Sequence, residues 1–192
     1  MLRRSNPRQH GDAYATGSDF CRIFAENMKD LYLLAFLLTA DPATAEQCFV
    51  GGLDDCSQGN QVFKEWARAW ARRVVIKNAI RLIAPEPEAP RTPVVYGEQH
   101  QARQHNQAEF RAEVSAILGM PAFERFVFVL SVLEGYKDVE CALLLGSTRE
   151  TVRTARADAL QQITRSVAIG DKEPAKPLVV ELPELERLAT PA

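Results

Sequence analysis

The stretch "YKDVECALLLGSTRETVRTARADAL", Tyr136–Leu160, carries a helical pattern that breaks at Gly146-Ser147 and restarts at once. Asp138 to Leu145 reads as one helix, Gly146 supplies the left-handed backbone position that ends it, and Ser147-Thr148-Arg149-Glu150 fits a capping box for the next. Two helices joined by so short a corner are the sequence form of a helix-turn-helix. In the second helix Val152, Ala159 and Ile163 share an inward face, while Arg149, Arg153 and Arg156, at spacings of four and three, share an outward one.

A face bearing three guanidiniums suits the major groove of DNA, where arginine meets phosphates or guanine edges. Thr148, Thr151 and Thr154 lie beside them as further hydrogen-bonding groups. The competing reading is a solvated face at a tight corner of a helical core. Charge limits the first reading: residues 107–167 hold seven basic side chains against eight acidic ones, so affinity for DNA would need help from elsewhere in the chain or from a larger complex.

Outward from the corner, "MPAFERFVFVLSVLEGY" predicts a helix from Pro121 with Phe123, Phe126, Val127, Leu130 and Leu133 as its apolar face, and a helical pattern runs from Gln107 to Ile117. From Ile169 onward, "LVVEL" stands out in an otherwise polar tail as a possible short docking motif. In the other direction, prolines at 85, 87, 90 and 93 block helix and favour extended chain, marking a boundary between two small helical domains. Before it, "VFKEWARAWARRVVIKNAIRLI", Val62–Ile83, has no breaker and predicts the longest helix, with Phe63, Trp66, Trp70 and Val74 as a core stripe. Its cations Lys64, Arg68, Arg72, Arg73, Lys77 and Arg81 face a single anion, Glu65.

The helical pattern begins at Ser18, with Ser18 or Asp19 as cap, and continues through Phe20, Ile23, Phe24, Leu31, Leu34, Ala35 and Leu38. Asp41 and Pro42 predict a new helix start. Gly51-Gly52 is expected to interrupt or weaken that helix, and "DDCSQGNQ" reads as a loop. The organisation expected is therefore a disordered lead-in over 1–17, helical domains over 18–84 and 107–168, a linker over 85–106 and a flexible tail over 169–192. Both domains are expected to be all-α.

Composition bounds the function. With 192 residues and 46% hydrophobic content the chain can bury a core, and 23 basic against 25 acidic residues give a net charge of −2, unlike a protein that coats nucleic acid nonspecifically. No segment reaches the roughly 18 apolar residues a membrane span needs, so a cytoplasmic protein without membrane attachment is expected. Cys21, Cys48, Cys56 and Cys141 form no CxxC pair and are expected to be buried thiols, against a metal site or redox pair. Gly-rich phosphate loops, HExxH and GxSxG are missing, and His10, His100 and His105 lie in polar segments. No catalytic residue, metal site or cofactor is expected, and the chain does not read as an enzyme.

The order of these parts resembles a sigma factor of the extracytoplasmic-function group of the sigma-70 family, over Ser18 to Ile83 and Gln107 to Val167. The second domain looks like the family's region 4, through Pro121, Arg125 and Phe128, Glu134-Gly135, Ala142, Leu144, Leu145 and Gly146, and Thr151 to Arg153. The first looks like region 2 through "LLTADPATAEQ" and "FKEWARAWARR", although Val50 and Gly51 stand where the family usually has a polar pair in the polymerase-docking helix. The resemblance implies binding to RNA polymerase core, to promoter DNA and to an anti-sigma factor. By position it makes Thr148, Arg149, Thr151, Arg153, Thr154 and Arg156 the readers of the upstream promoter element. It likewise makes Lys64, Arg68, Arg72, Arg73, Lys77 and Arg81 a phosphate-binding helix for the downstream element. For Trp66 and Trp70 it raises stacking on unpaired bases as the alternative to a core position. Two other readings stay open: a degenerate sigma-like protein that binds a regulator without starting transcription, and a helical bundle whose corner only looks like a helix-turn-helix.

Overall fold

The structure, a computed structural model, describes residues 13–58, 61–87 and 114–170. Helix α1 spans Gly17–Glu26. Its cap is Thr16, whose Oγ1 accepts the Asp19 N–H at 3.2 Å while the Asp19 carboxylate accepts the Thr16 N–H at 2.9 Å. Asp19 is thus the reciprocal partner in a capping box rather than the cap itself. Residues 13–17, expected to belong to the lead-in, are part of the fold. The Ala15 N–H donates to Val62 O at 2.7 Å, the Lys64 N–H donates to Ala13 O at 2.9 Å, and Tyr14 stacks on Phe63. Backbone pairing with 62–64 gives residues 13–16 partners that the sequence alone does not advertise. Residues 1–12 lie outside the described part.

Helices α2 (Met28–Thr39) and α3 (Pro42–Ser57) follow, the latter capped by Asp41, which accepts the Thr44 N–H at 2.7 Å, with Pro42 in its first turn. Contrary to expectation, α3 runs unbroken through Gly51 and Gly52, and 54–57 is helix rather than loop. A Cβ at Gly52 would meet Val75 Cγ2 at 3.1 Å, and one at Gly51 would meet Asn78 Oδ1 at 3.0 Å. The two glycines let α3 lie close against the next long helix, and packing offsets their helix penalty of about 1 kcal/mol each.

That next helix, α4, covers only Ala67–Ile83. The single helix expected over 62–83 is shortened because Val62 and Lys64 hydrogen-bond to 13–15 and Phe63 is extended, so only a 3₁₀ turn over Lys64–Trp66 precedes α4. After residues 88–113, which lie outside the described part with most of the expected linker, come a helical segment at 114–118 (α5), α6 (Ala122–Phe128) continuing into a π-helical turn at Val129–Leu133, α7 (Asp138–Leu144) and α8 (Arg149–Gly170). At 22 residues α8 is the longest described helix, and it carries on past the expected tail boundary at 169. Residues 171–192, with "LVVEL", lie outside the described part. Among the described residues there is no strand, only an isolated bridge between Tyr14 and Phe63, and the fold is all-α.

Helices α1–α4 form one helical group and α5–α8 a second, and their buried side chains make one continuous cluster. At the seam sits Arg125, 7% exposed. Its Nε donates to Leu38 O at 3.2 Å and its Nη1 to Met120 O at 2.8 Å. Burial lowers its guanidinium below the usual arginine range. Nearby, Arg72 of α4 forks onto the Glu134 carboxylate, one arm being Nε to Oε2 at 2.8 Å. Cys48, Cys56 and Cys141 are buried as expected, but Cys21 is exposed on the outer side of α1, next to inward-facing Phe20. His10, His100 and His105 lie outside the described residues.

Candidate nucleic-acid interface

The corner folds as two helices that meet at Gly146. Helix α7 opens with Glu140 Oε2 accepting the Lys137 N–H at 2.8 Å. It closes in a Schellman arrangement, with Ser147 N–H donating to Ala142 O at 2.9 Å and Gly146 at φ +60°. Helix α8 is capped by Thr148, whose Oγ1 accepts the Thr151 N–H at 3.1 Å and pairs with the Thr151 hydroxyl at 2.8 Å. The Ser147/Glu150 box is not the one used: the cap falls one residue later, because Ser147 N–H is spent on α7. Val152, Ala155 and Ala159 are buried beneath α8, against α6 and α7.

On the outer face Arg149 is exposed and has no ion pair among the described residues. Arg153 and Arg156 converge on one carboxylate. Arg153 Nε lies 3.0 Å from Asp138 Oδ2, and Arg156 Nη1 lies 2.5 Å from Asp138 Oδ1. The hydrogen bond from Arg153, then the charge of Arg156, hold the Asp138 carboxyl below the usual range. Thr154 is exposed, whereas the hydroxyls of Thr148 and Thr151 are occupied by the cap.

The six cations assigned to the long basic helix do not share one free face. Lys64 lies on the 3₁₀ turn rather than on α4. Arg68 pairs with Glu26 at 3.0 Å, Arg72 with Glu134, and Arg81 with the Asn78 side chain and, at 3.7 Å, with Asp55. Arg73 and Lys77, one turn apart and exposed, have no ion pair among the described residues. The aromatic stripe also divides. Trp70 packs on the core, but Trp66 is 59% exposed, edge-on to Phe63 at 5.3 Å. The expected core position for Trp66 is thus overturned, because the 3₁₀ turn shifts its direction relative to α4. Tyr14, Phe63 and Trp66 instead form a surface aromatic cluster.

Between the two helical groups lies a cleft of about 310 Å³, lined by Leu33, Leu37, Leu133 and the Arg72–Glu134 pair, with Asp30 at its edge. Asp138 and this cleft are the features that sequence reasoning missed. Asp138 precedes Arg153 by 15 positions, so only the folded corner brings them together.

No family model matches the chain, and no curated protein matches it. Among solved structures it is similar to the sigma factor RpoE in complex with the anti-sigma factor NepR from Bartonella quintana, at 14% identity and a TM-score of 0.45, over 79% of this chain and 98% of that one.

Proposed function

We propose that the chain is a sigma-like transcription regulator that binds promoter DNA through α7–α8 and works with RNA polymerase core rather than as a catalyst. The observation that carries this reading is the helix-turn-helix itself. Its corner is closed by Gly146, its second helix is capped by Thr148, and Arg149, Arg153, Thr154 and Arg156 stand on or beside the face away from the core. Arg73 and Lys77 supply a second, smaller phosphate-binding position on α4, and exposed Trp66 offers a ring for stacking on an unpaired base. With no net positive charge, the chain relies on polymerase for much of its affinity. The test is run-off transcription from genomic promoter fragments with purified core polymerase, comparing the chain with a variant carrying Arg149→Ala, Arg153→Ala and Arg156→Ala. Transcripts that depend on the protein and vanish in the variant support the reading. A folded protein that yields none with active core refutes it.

A second reading, a sigma-like protein that binds a regulator such as an anti-sigma factor without starting transcription, is favoured by one observation. Arg68, Arg72 and Arg81 are spent on carboxylates, and the Arg72–Glu134 pair lines a cleft that also has exposed Leu33 and Leu133 on its wall. It predicts that a purified anti-sigma factor binds the chain while the triple variant behaves as wild type in every assay.

A further inference from the structure

We propose that Asp138 is a positioning residue that turns the outer face of α8 from a general phosphate binder into a reader of guanine; this rests on the DNA-binding reading above. The Asp138 side chain stands at the start of α7, and each of its oxygens takes one arginine of α8, 15 and 18 positions later. The mode of contact matters. Arg153 is held through Nε, which leaves both Nη groups uncommitted on a side chain that is 57% exposed. A guanidinium fixed at Nε and open at Nη presents the fork that matches O6 and N7 of guanine in the major groove. Arg156 is held through Nη1 and is less exposed, so it acts as the second anchor of the carboxylate more than as a reader.

The same carboxylate lowers the value of this face for sequence-independent binding. Two arginines share one anion, and a phosphate approaching either of them meets the Asp138 charge as well. Arg149, exposed and without an ion pair among the described residues, is left for backbone contact at the amino-terminal end of α8. The division of labour is therefore Arg149 for phosphate, Arg153 for a base, and Asp138 for holding Arg153 to its task.

The experiment, run with purified polymerase core present, compares the full chain with Asp138→Asn, Asp138→Glu and Arg149→Ala, each first shown to be folded by circular dichroism. Two probes are used: a mixed-sequence duplex, and the duplexes enriched by the wild-type chain from a pool with a randomised core. Asp138→Asn is expected to bind the mixed duplex several-fold more tightly, with a slope of log affinity against log salt steeper by about one to two. Its preference for guanine at the enriched position should fall by roughly tenfold. Asp138→Glu should keep the wild-type slope and preference, and Arg149→Ala should weaken both probes alike. Wild-type binding with an Asp138→Asn slope and guanine preference unchanged overturns the role of Asp138 while leaving the DNA reading standing. Binding by neither wild type nor Asp138→Asn to any duplex overturns both.

Discussion

The Nε of Arg125 donates to the carbonyl oxygen of Leu38 at 3.2 Å, across 87 positions of chain. That bond, with the one to Met120 O, ties the carboxyl-terminal helices to the end of α2 through a buried charge. Replacing Arg125 by Met keeps much of the volume but leaves two carbonyl oxygens without this donor, at a cost of roughly 2–4 kcal/mol. Trp66 and Trp70 both lie in the first helical group, whereas helical circular dichroism reports on both. Wild type is expected to lose both signals in one coincident urea transition. Arg125→Met should shift the midpoint down and separate the two probes, and a coincident, unshifted transition would remove Arg125 from the seam.

Gly52→Ala is expected to destabilise although alanine favours helix. The gain of about 1 kcal/mol in propensity competes with a Cβ placed 3.1 Å from Val75 Cγ2, on a fully buried side chain that would have to shift by a few tenths of an ångström. Overpacking of this kind costs about 1–3 kcal/mol, so a net loss of about 1 kcal/mol is expected in thermal melts. Gly146→Ala meets nothing within 4 Å, and its cost comes instead from φ +60°; a loss of about 1 kcal/mol is expected there.

The thiols should react in two classes. Burial pushes Cys48 and Cys56 up to about 12 and Cys141 up to about 11, so their thiolates are scarce at pH 8 as well as hidden. Only exposed Cys21 is expected to react with a disulfide reagent in the folded chain, with the other three following on denaturation. More than one fast thiol in the native state would contradict the packing of α3 against α4 or of α7 against α8.

Acid should weaken the protein through three particular carboxylates. Asp19 and Asp41 are held low mainly by hydrogen bonds from Thr16 and Thr44, and Asp138 by Arg153 and Arg156. Because each folded value lies below the unfolded one, their contribution is whole above the ordinary aspartate value near 4 and is lost as pH falls through the lowered values. Carboxyl titration by NMR should show all three below ordinary aspartate. In Asp138→Asn the dependence of stability on pH in that acid range should flatten.

Much of this fold is legible in the sequence where a local signal suffices. Asp41-Pro42 starts α3, Gly146 ends α7, Leu31, Leu34, Ala35 and Leu38 of α2 and Val152 and Ala159 of α8 are buried where expected, and Ile163 packs half-buried against them. What escapes local reading depends on partners distant in sequence. The glycines at 51 and 52 look like breakers until Val75 and Asn78 stand opposite them, and the start of α4 is displaced by backbone bonds to 13–15. The candidate interface divides the same way. The arginine spacing on α8 is visible in the sequence, but the carboxylate that gathers Arg153 and Arg156 arrives from the far side of the turn.

The π-helical turn at Val129–Leu133, in which Glu134 N–H reaches back five residues to Val129 O at 2.9 Å, lets the seam hold one residue more than a regular helix would. One surplus residue in a helix turns everything after it by about 100° relative to an unbroken α-helix. That rotation aims the Glu134 carboxylate at Arg72. The same sequence run as a regular α-helix would swing Glu134 about a quarter turn from its cation, whereas excising Ser131 would let the helix close regularly on Val129 O with Glu134 still in place. A relative one residue shorter here could fasten the same clasp with an ordinary helix, the extra residue of this chain being taken up by the turn.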